Sequence, residues 1–115
     1  IIETVFLTEA ASQLAGEISY GQQKLLTLGC CIANNAQLML LDEPVAGVNP
    51  VYREKIQELL IQLKAAGCTI FLIEHNTDFI RAISDSIIFL HNGKLSEFEN
   101  YEEFRSDKTV IEAYI

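Results

Sequence analysis

Leu38-Met39-Leu40-Leu41-Asp42-Glu43-Pro44, LMLLDEP, is an unbroken apolar run that ends in two carboxylates and a proline. Four successive apolar residues bounded by a turn former suit a short, continuously buried strand. In α/β proteins the carboxyl ends of such strands are where ligands bind. Asp42 and Glu43 are therefore predicted to stand at a ligand edge. Successive strand side chains point to opposite faces, so the two acids are expected to do different work, one suited to a metal and the other to a water. Two solvated acids at a strand end would give the same pattern, but the apolar run directly before them favours the ligand reading.

Around this run, helix and strand alternate. Upstream, QQKLLTLGCCIANN sets Leu25, Leu28 and Ile32 at helical spacing. Downstream, NPVYREKIQELLIQLKAAG predicts a helix capped by Asn49, with Pro50 at its first position, Ile56, Leu59, Leu60 and Leu63 in one stripe, and Gly67 as its stop. CTIFLIE reads as a second buried strand and NTDFIRAIS as a short helix. Asn92-Gly93 lies between two alternating apolar runs, a strong hairpin signal. A last helix is expected from Asn100, with Glu103 as capping-box partner. The expected fold is α/β: a parallel sheet with an appended β-hairpin and C-terminal helices.

Composition bounds the function. The chain has 115 residues, half of them apolar, enough for one moderate core. Its net charge is −8, with acids and bases mixed and no Lys/Arg cluster, which argues against nucleic acid or an anionic membrane surface as partner. The longest apolar runs, IFLI and IIFL, fall far short of the roughly 18 residues of a membrane span. A soluble, cytosolic protein is expected. Cys30, Cys31 and Cys68 lack CxxC spacing and are odd in number, so neither a disulfide framework nor a zinc site is expected. They read as small core residues.

GEISYGQQK, Gly16 to Lys24, has the first frame of a phosphate-binding loop but does not complete it. In a Walker A loop the second Gly is followed by Lys and then Ser or Thr, so that an ammonium reaches the phosphates and a hydroxyl reaches Mg²⁺. Gln22 and Gln23 follow Gly21 instead, and no other glycine opens that frame. Ser19 and Gln22 fit a capping box that needs no ligand. Gly21 is left over: inside a helical turn it costs about 1 kcal/mol against Ala, so it is expected to let something approach the backbone closely. A first turn without acids leaves the positive helix end open to an anion.

Four motifs in order carry a family resemblance. ISYGQQK resembles the signature motif of ATP-binding cassette (ABC) ATPases, LMLLDEP the Walker B, VAGVNP the D-loop, and FLIEHN the switch-histidine segment. The resemblance runs through TVIEAYI at the C-terminus and is closest to the ATPase subunits of branched-chain amino acid importers. It implies the C-terminal half of a P-loop NTPase (RecA-like) cassette, a fragment with Walker A, the adenine-stacking aromatic and the glutamine loop expected upstream. Residues 1–18 would end the helical subdomain, and residues 19–115 would form the C-terminal part of the nucleotide-binding domain.

The resemblance also implies roles. Two cassettes dimerise head to tail, so Ser19, Tyr20, Gly21 and Gln22 would contact ATP held by the partner cassette. Asp42 would hold Mg²⁺ through water, Glu43 would be general base, and His75 would contact the γ-phosphate. Asn49, in the D-loop across the dimer interface, stands where many relatives have Asp. Transmembrane permease subunits are implied as further partners, with the protein peripheral on the cytoplasmic face of the membrane. The chain lacks the Arg that many relatives carry near Cys31, and KLSEFEN lacks the usual Gly after its acid. This chain alone is expected to be inactive. An ABC-type ATPase of chromosome maintenance or DNA repair, and a non-hydrolysing nucleotide-binding partner, are the alternatives. The first would show a coiled-coil insertion and basic patches, and the second would lack Glu43 or His75.

Overall fold

The apolar run at residues 38–42 is a strand, β1 (Leu38–Asp42), and CTIFLIE supplies β2 (Thr69–Ile73). The computed structural model describes residues 1–114, so the last residue of TVIEAYI lies outside the described residues. β1 and β2 pair in parallel, from Leu38 opposite Thr69 to Asp42 opposite Ile73, which brings their carboxyl ends side by side. The chain forms two compact units, Ile1–His75 and Asn76–Ile115.

In the first unit, a 3-10 turn at Thr8–Ala10 precedes α1 (Tyr20–Ala33), and α2 (Pro50–Ala65) connects the two strands. α1 turns Leu25, Leu28 and Gly29 inward, with the Val5 side chain over Gly29. α2 buries Ile56, Leu59 and Leu60, three of the four expected stripe residues, while Leu63 is half-buried. Both helices end in a left-handed residue. Asn35 (φ 52°) donates to Ile32 O and Ala36 N to Cys31 O; Gly67 (φ 95°) donates to Lys64 O and Cys68 N to Leu63 O. These are Schellman closures, and Gly67 is the predicted stop.

Two expectations fail in this unit. The strands are not buried on both faces. Met39 is buried, but Leu38, Leu40, Phe71 and Ile73 lie on the opposite face and are exposed. Alternation sends every second residue to a face that no element of this unit covers, so an unbroken apolar run does not make an evenly buried strand. The cysteines are not core residues either: Cys30 is exposed, and Cys31 and Cys68 are half-buried thiols. The inward stripe ends at Gly29, and a residue one position on is rotated about 100° away from it.

The second unit holds α3 (Thr77–Ile83), the antiparallel hairpin β3 (Ile87–His91) and β4 (Lys94–Phe98), then α4 (Tyr101–Ser106) and α5 (Lys108–Tyr114). The hairpin turns through Asn92 and Gly93, both at positive φ, as a two-residue primed turn requires. Ile80, Ile87, Phe104 and Val110 form the core, with Phe89, Phe98 and Tyr101 packed against it. The single helix expected from Asn100 is two. Asp107 Oδ1 accepts from Thr109 N and Val110 N, so its side chain restarts the helix and divides α4 from α5. Asn100 caps α4 as expected, but Glu103 reaches back to Glu99 N rather than to Asn100 N.

Candidate functional site

Parallel pairing of β1 and β2 places the DEP segment beside the EHN segment. Asp42 is the last residue of β1, and its side chain is exposed at the sheet edge. The strand ladder continues one bond further, from Glu43 N to Ile73 O at 2.9 Å. Glu43 itself lies outside the strand in a left-handed conformation (φ 46°), closed by a turn in which Ala46 N donates to Glu43 O. The direction of its side chain therefore comes from this twist, not from the strand alternation that the sequence suggested. A non-Gly residue held there costs about 1–2 kcal/mol.

The twist aims the Glu43 carboxylate at His75, with Oε1 3.5 Å from Nδ1. Their side chains are 49% and 67% exposed, so such a pair adds little to stability. A strained backbone that delivers an exposed acid to an imidazole suits reaction chemistry better than fold support. Glu74, which the sequence reading passed over, organises the surroundings. One carboxylate oxygen accepts from Val45 N at 3.3 Å and the other from His75 N at 3.0 Å. Its signal was a carboxylate placed at the end of a strand next to that histidine. His91 is a hairpin residue, stacked on Phe89 with ring centroids 5.8 Å apart.

Ser19, Tyr20, Gly21 and Gln22 form a second group at the start of α1. The predicted capping box is present: Gln22 N donates to Ser19 Oγ at 3.3 Å, and Ser19 N donates to Gln22 Oε1 at 2.9 Å. No acid lies in the first turn. Gly21 does let a group approach the backbone closely, as expected. A Cβ there would meet Tyr52 Cγ, Cβ and Cδ2 at 2.6, 2.7 and 2.8 Å, so the close approach that this glycine permits is by α2. Asn49 caps α2 by accepting from Tyr52 N at 3.1 Å, which ties the VAGVNP loop to the residue lying on Gly21. Tyr20 is half exposed, with Lys24 Nζ 5.3 Å from its ring centre and Gly47 beside its edge.

Among the described residues no group of three or more His, Cys, Asp or Glu could hold a metal ion, and no helix is long and apolar enough to cross a membrane. Mg²⁺ in nucleotide sites takes one or two carboxylates and completes its shell with phosphates and water. The exposed carboxylate of Asp42 fits that demand and does not fit an all-protein cage.

Comparison with known proteins gives this geometry a family. The family model described as ABC transporter matches residues 1–46. The high-affinity branched-chain amino acid transport ATP-binding protein BraF of Pseudomonas aeruginosa is 35% identical over 115 residues, covering 99% of this chain and 45% of that protein. A crystal structure of a nucleotide-free ATP-binding cassette from an ABC transporter superposes with a TM-score of 0.88 at 34% identity, over 99% of this chain and 47% of that one. A dimeric bacterial ABC transporter cassette superposes with a TM-score of 0.73 at 28% identity, over 85% and 43%. The chain spans about half the length of the curated relatives it matches. By sequence and by fold, the chain is similar to about half of an ABC transporter ATP-binding cassette.

Proposed function

We propose that the chain supplies the hydrolytic edge and the partner-facing signature of an ATPase that drives import of branched-chain amino acids. The observation that carries this is the Glu43–His75 pair, 3.5 Å apart at the joined carboxyl ends of two parallel strands. Glu43 would accept a proton from the attacking water as general base. His75, beside it, would hold that water and meet the γ-phosphate. Asp42 would hold Mg²⁺, which when bound neutralises charge on the phosphates.

In this reading Ser19, Tyr20, Gly21 and Gln22 belong to the nucleotide of a second cassette, in a head-to-tail dimer that Asn49 helps to register. The Ser19 hydroxyl can exchange its Gln22 amide for a phosphate oxygen, since an N-cap and an anion site use the same helix end. With Gly21 covered by Tyr52 on its Cβ side, its contribution would come through the backbone amide. Residues 1–18 would close the helical subdomain, residues 19–115 would complete the nucleotide-binding domain, and permease subunits would hold the protein on the cytoplasmic face of the membrane.

The relatives' names favour transport over chromosome maintenance or DNA repair. Cells deleted for the gene should lose uptake of labelled leucine, isoleucine and valine while keeping uptake of unrelated solutes. Unchanged uptake of all three would refute the substrate assignment. The 115-residue chain, which has no Walker A frame, is expected neither to bind Mg-ATP tightly nor to hydrolyse it. A micromolar dissociation constant by calorimetric titration would contradict that.

A further inference from the structure

We propose that Glu74 is a positioning residue, one whose carboxylate latches the D-loop to the switch-histidine segment and so sets the approach of His75 to Glu43. Its two oxygens accept from the amides of two different segments: Val45, the first residue after the DEP run, and His75. Val45 is 3% exposed, so its N–H has little access to water as a substitute partner. The bond closes a short ring. Glu43 N holds Ile73 O from one side, Glu74 holds Val45 N from the other, and the strained Glu43 backbone lies between. Movement of VAGVNP is thereby coupled to the imidazole through one side chain. This rests on the hydrolytic reading of Glu43 and His75 given above.

Glutamine has the shape of glutamate but only one acceptor oxygen, and its NH₂ would face a second N–H donor. Glu74→Gln therefore breaks half of the latch without opening a cavity. In the 115-residue chain, exchange of the Val45 or His75 amide followed by NMR should rise about tenfold in E74Q while Phe71 and Leu72 amides keep their rates. In the full-length cassette, E74Q should lower kcat about tenfold with KM for ATP changed less than about twofold. In a His75→Ala background, E74Q should change kcat by less than about twofold, because the group it positions is gone.

Unchanged exchange at both amides would overturn the latch. Parental kcat, or an undiminished E74Q effect in the His75→Ala background, would overturn the positioning role. A general loss of protection in E74Q would assign the carboxylate to fold stability and overturn it too. If His75→Ala itself keeps parental turnover, the hydrolytic reading fails, and the amide exchange rates still decide whether the latch exists.

Discussion

Tyr52 lies over Gly21 so closely that a methyl group at Gly21 would sit 2.6–2.8 Å from three of its carbons. The contact joins α1 to α2, and Tyr52 is also the residue whose amide Asn49 caps. The segments that carry Gly21 and Asn49 are thus mechanically linked within one chain, by packing and one hydrogen bond.

Gly21→Ala should destabilise the chain by about 1–3 kcal/mol, the scale of overpacking a tight contact. Tyr52→Ala should rescue it only in part, because the Tyr52 Cβ is itself 2.7 Å from the added carbon. Urea unfolding of the two single variants and the double variant tests this. An unchanged midpoint in Gly21→Ala would mean that α1 and α2 separate at no cost.

Asn49 caps α2, and Asn and Asp are both strong N-caps. Asn49→Asp should leave stability within about 0.5 kcal/mol of the parent, while Asn49→Ala should cost about 1 kcal/mol. Thermal unfolding of the pair measures it. Equal losses in both variants would remove Asn49 from the cap.

Leu40 is 72% exposed and Phe71 51% exposed on one face of the parallel pair, where their Cα atoms are register partners. An apolar face next to open strand edges promotes self-association. Light scattering from the chain should rise with concentration, and Leu40→Lys with Phe71→Lys should suppress that rise. Concentration-independent scattering of the parent would contradict the expectation.

The parts of the fold that were legible in the sequence were those written in local chemistry. Asn49-Pro50 and Gly67 bound α2, Asn92-Gly93 turns the hairpin, and Ser19 with Gln22 closes the capping box, because each signal acts within a few residues. The rest depends on partners distant in sequence. Nothing near Gly21 announces Tyr52, and nothing near Glu74 announces the amide of Val45. Leu40 and Phe71 looked buried because apolar runs carry no label for the face that stays open. Cys30 looked like core because composition says nothing about angle around a helix. At the candidate site, Asp42, Glu43 and His75 were singled out by type and order, but the left-handed turn that joins Glu43 to His75 was not legible. That conformation follows from the ladder bond to Ile73 and the turn back from Ala46.

The central claim is that Glu43 is the base of an ATPase site. Glu43→Gln in the full-length cassette keeps the shape and one acceptor but removes the negative charge and basicity needed to activate water. In the proposed reading Asp42, untouched, would still hold Mg²⁺, and Ser19 would still close on a partner's nucleotide. The measurement is paired: steady-state phosphate release, and dimer fraction by size-exclusion chromatography with ATP present. The account predicts turnover reduced about 10²-fold or more together with an ATP-bound dimer that accumulates. Turnover within a few-fold of the parent would contradict it and reduce Glu43 to a strand-end acid beside a histidine.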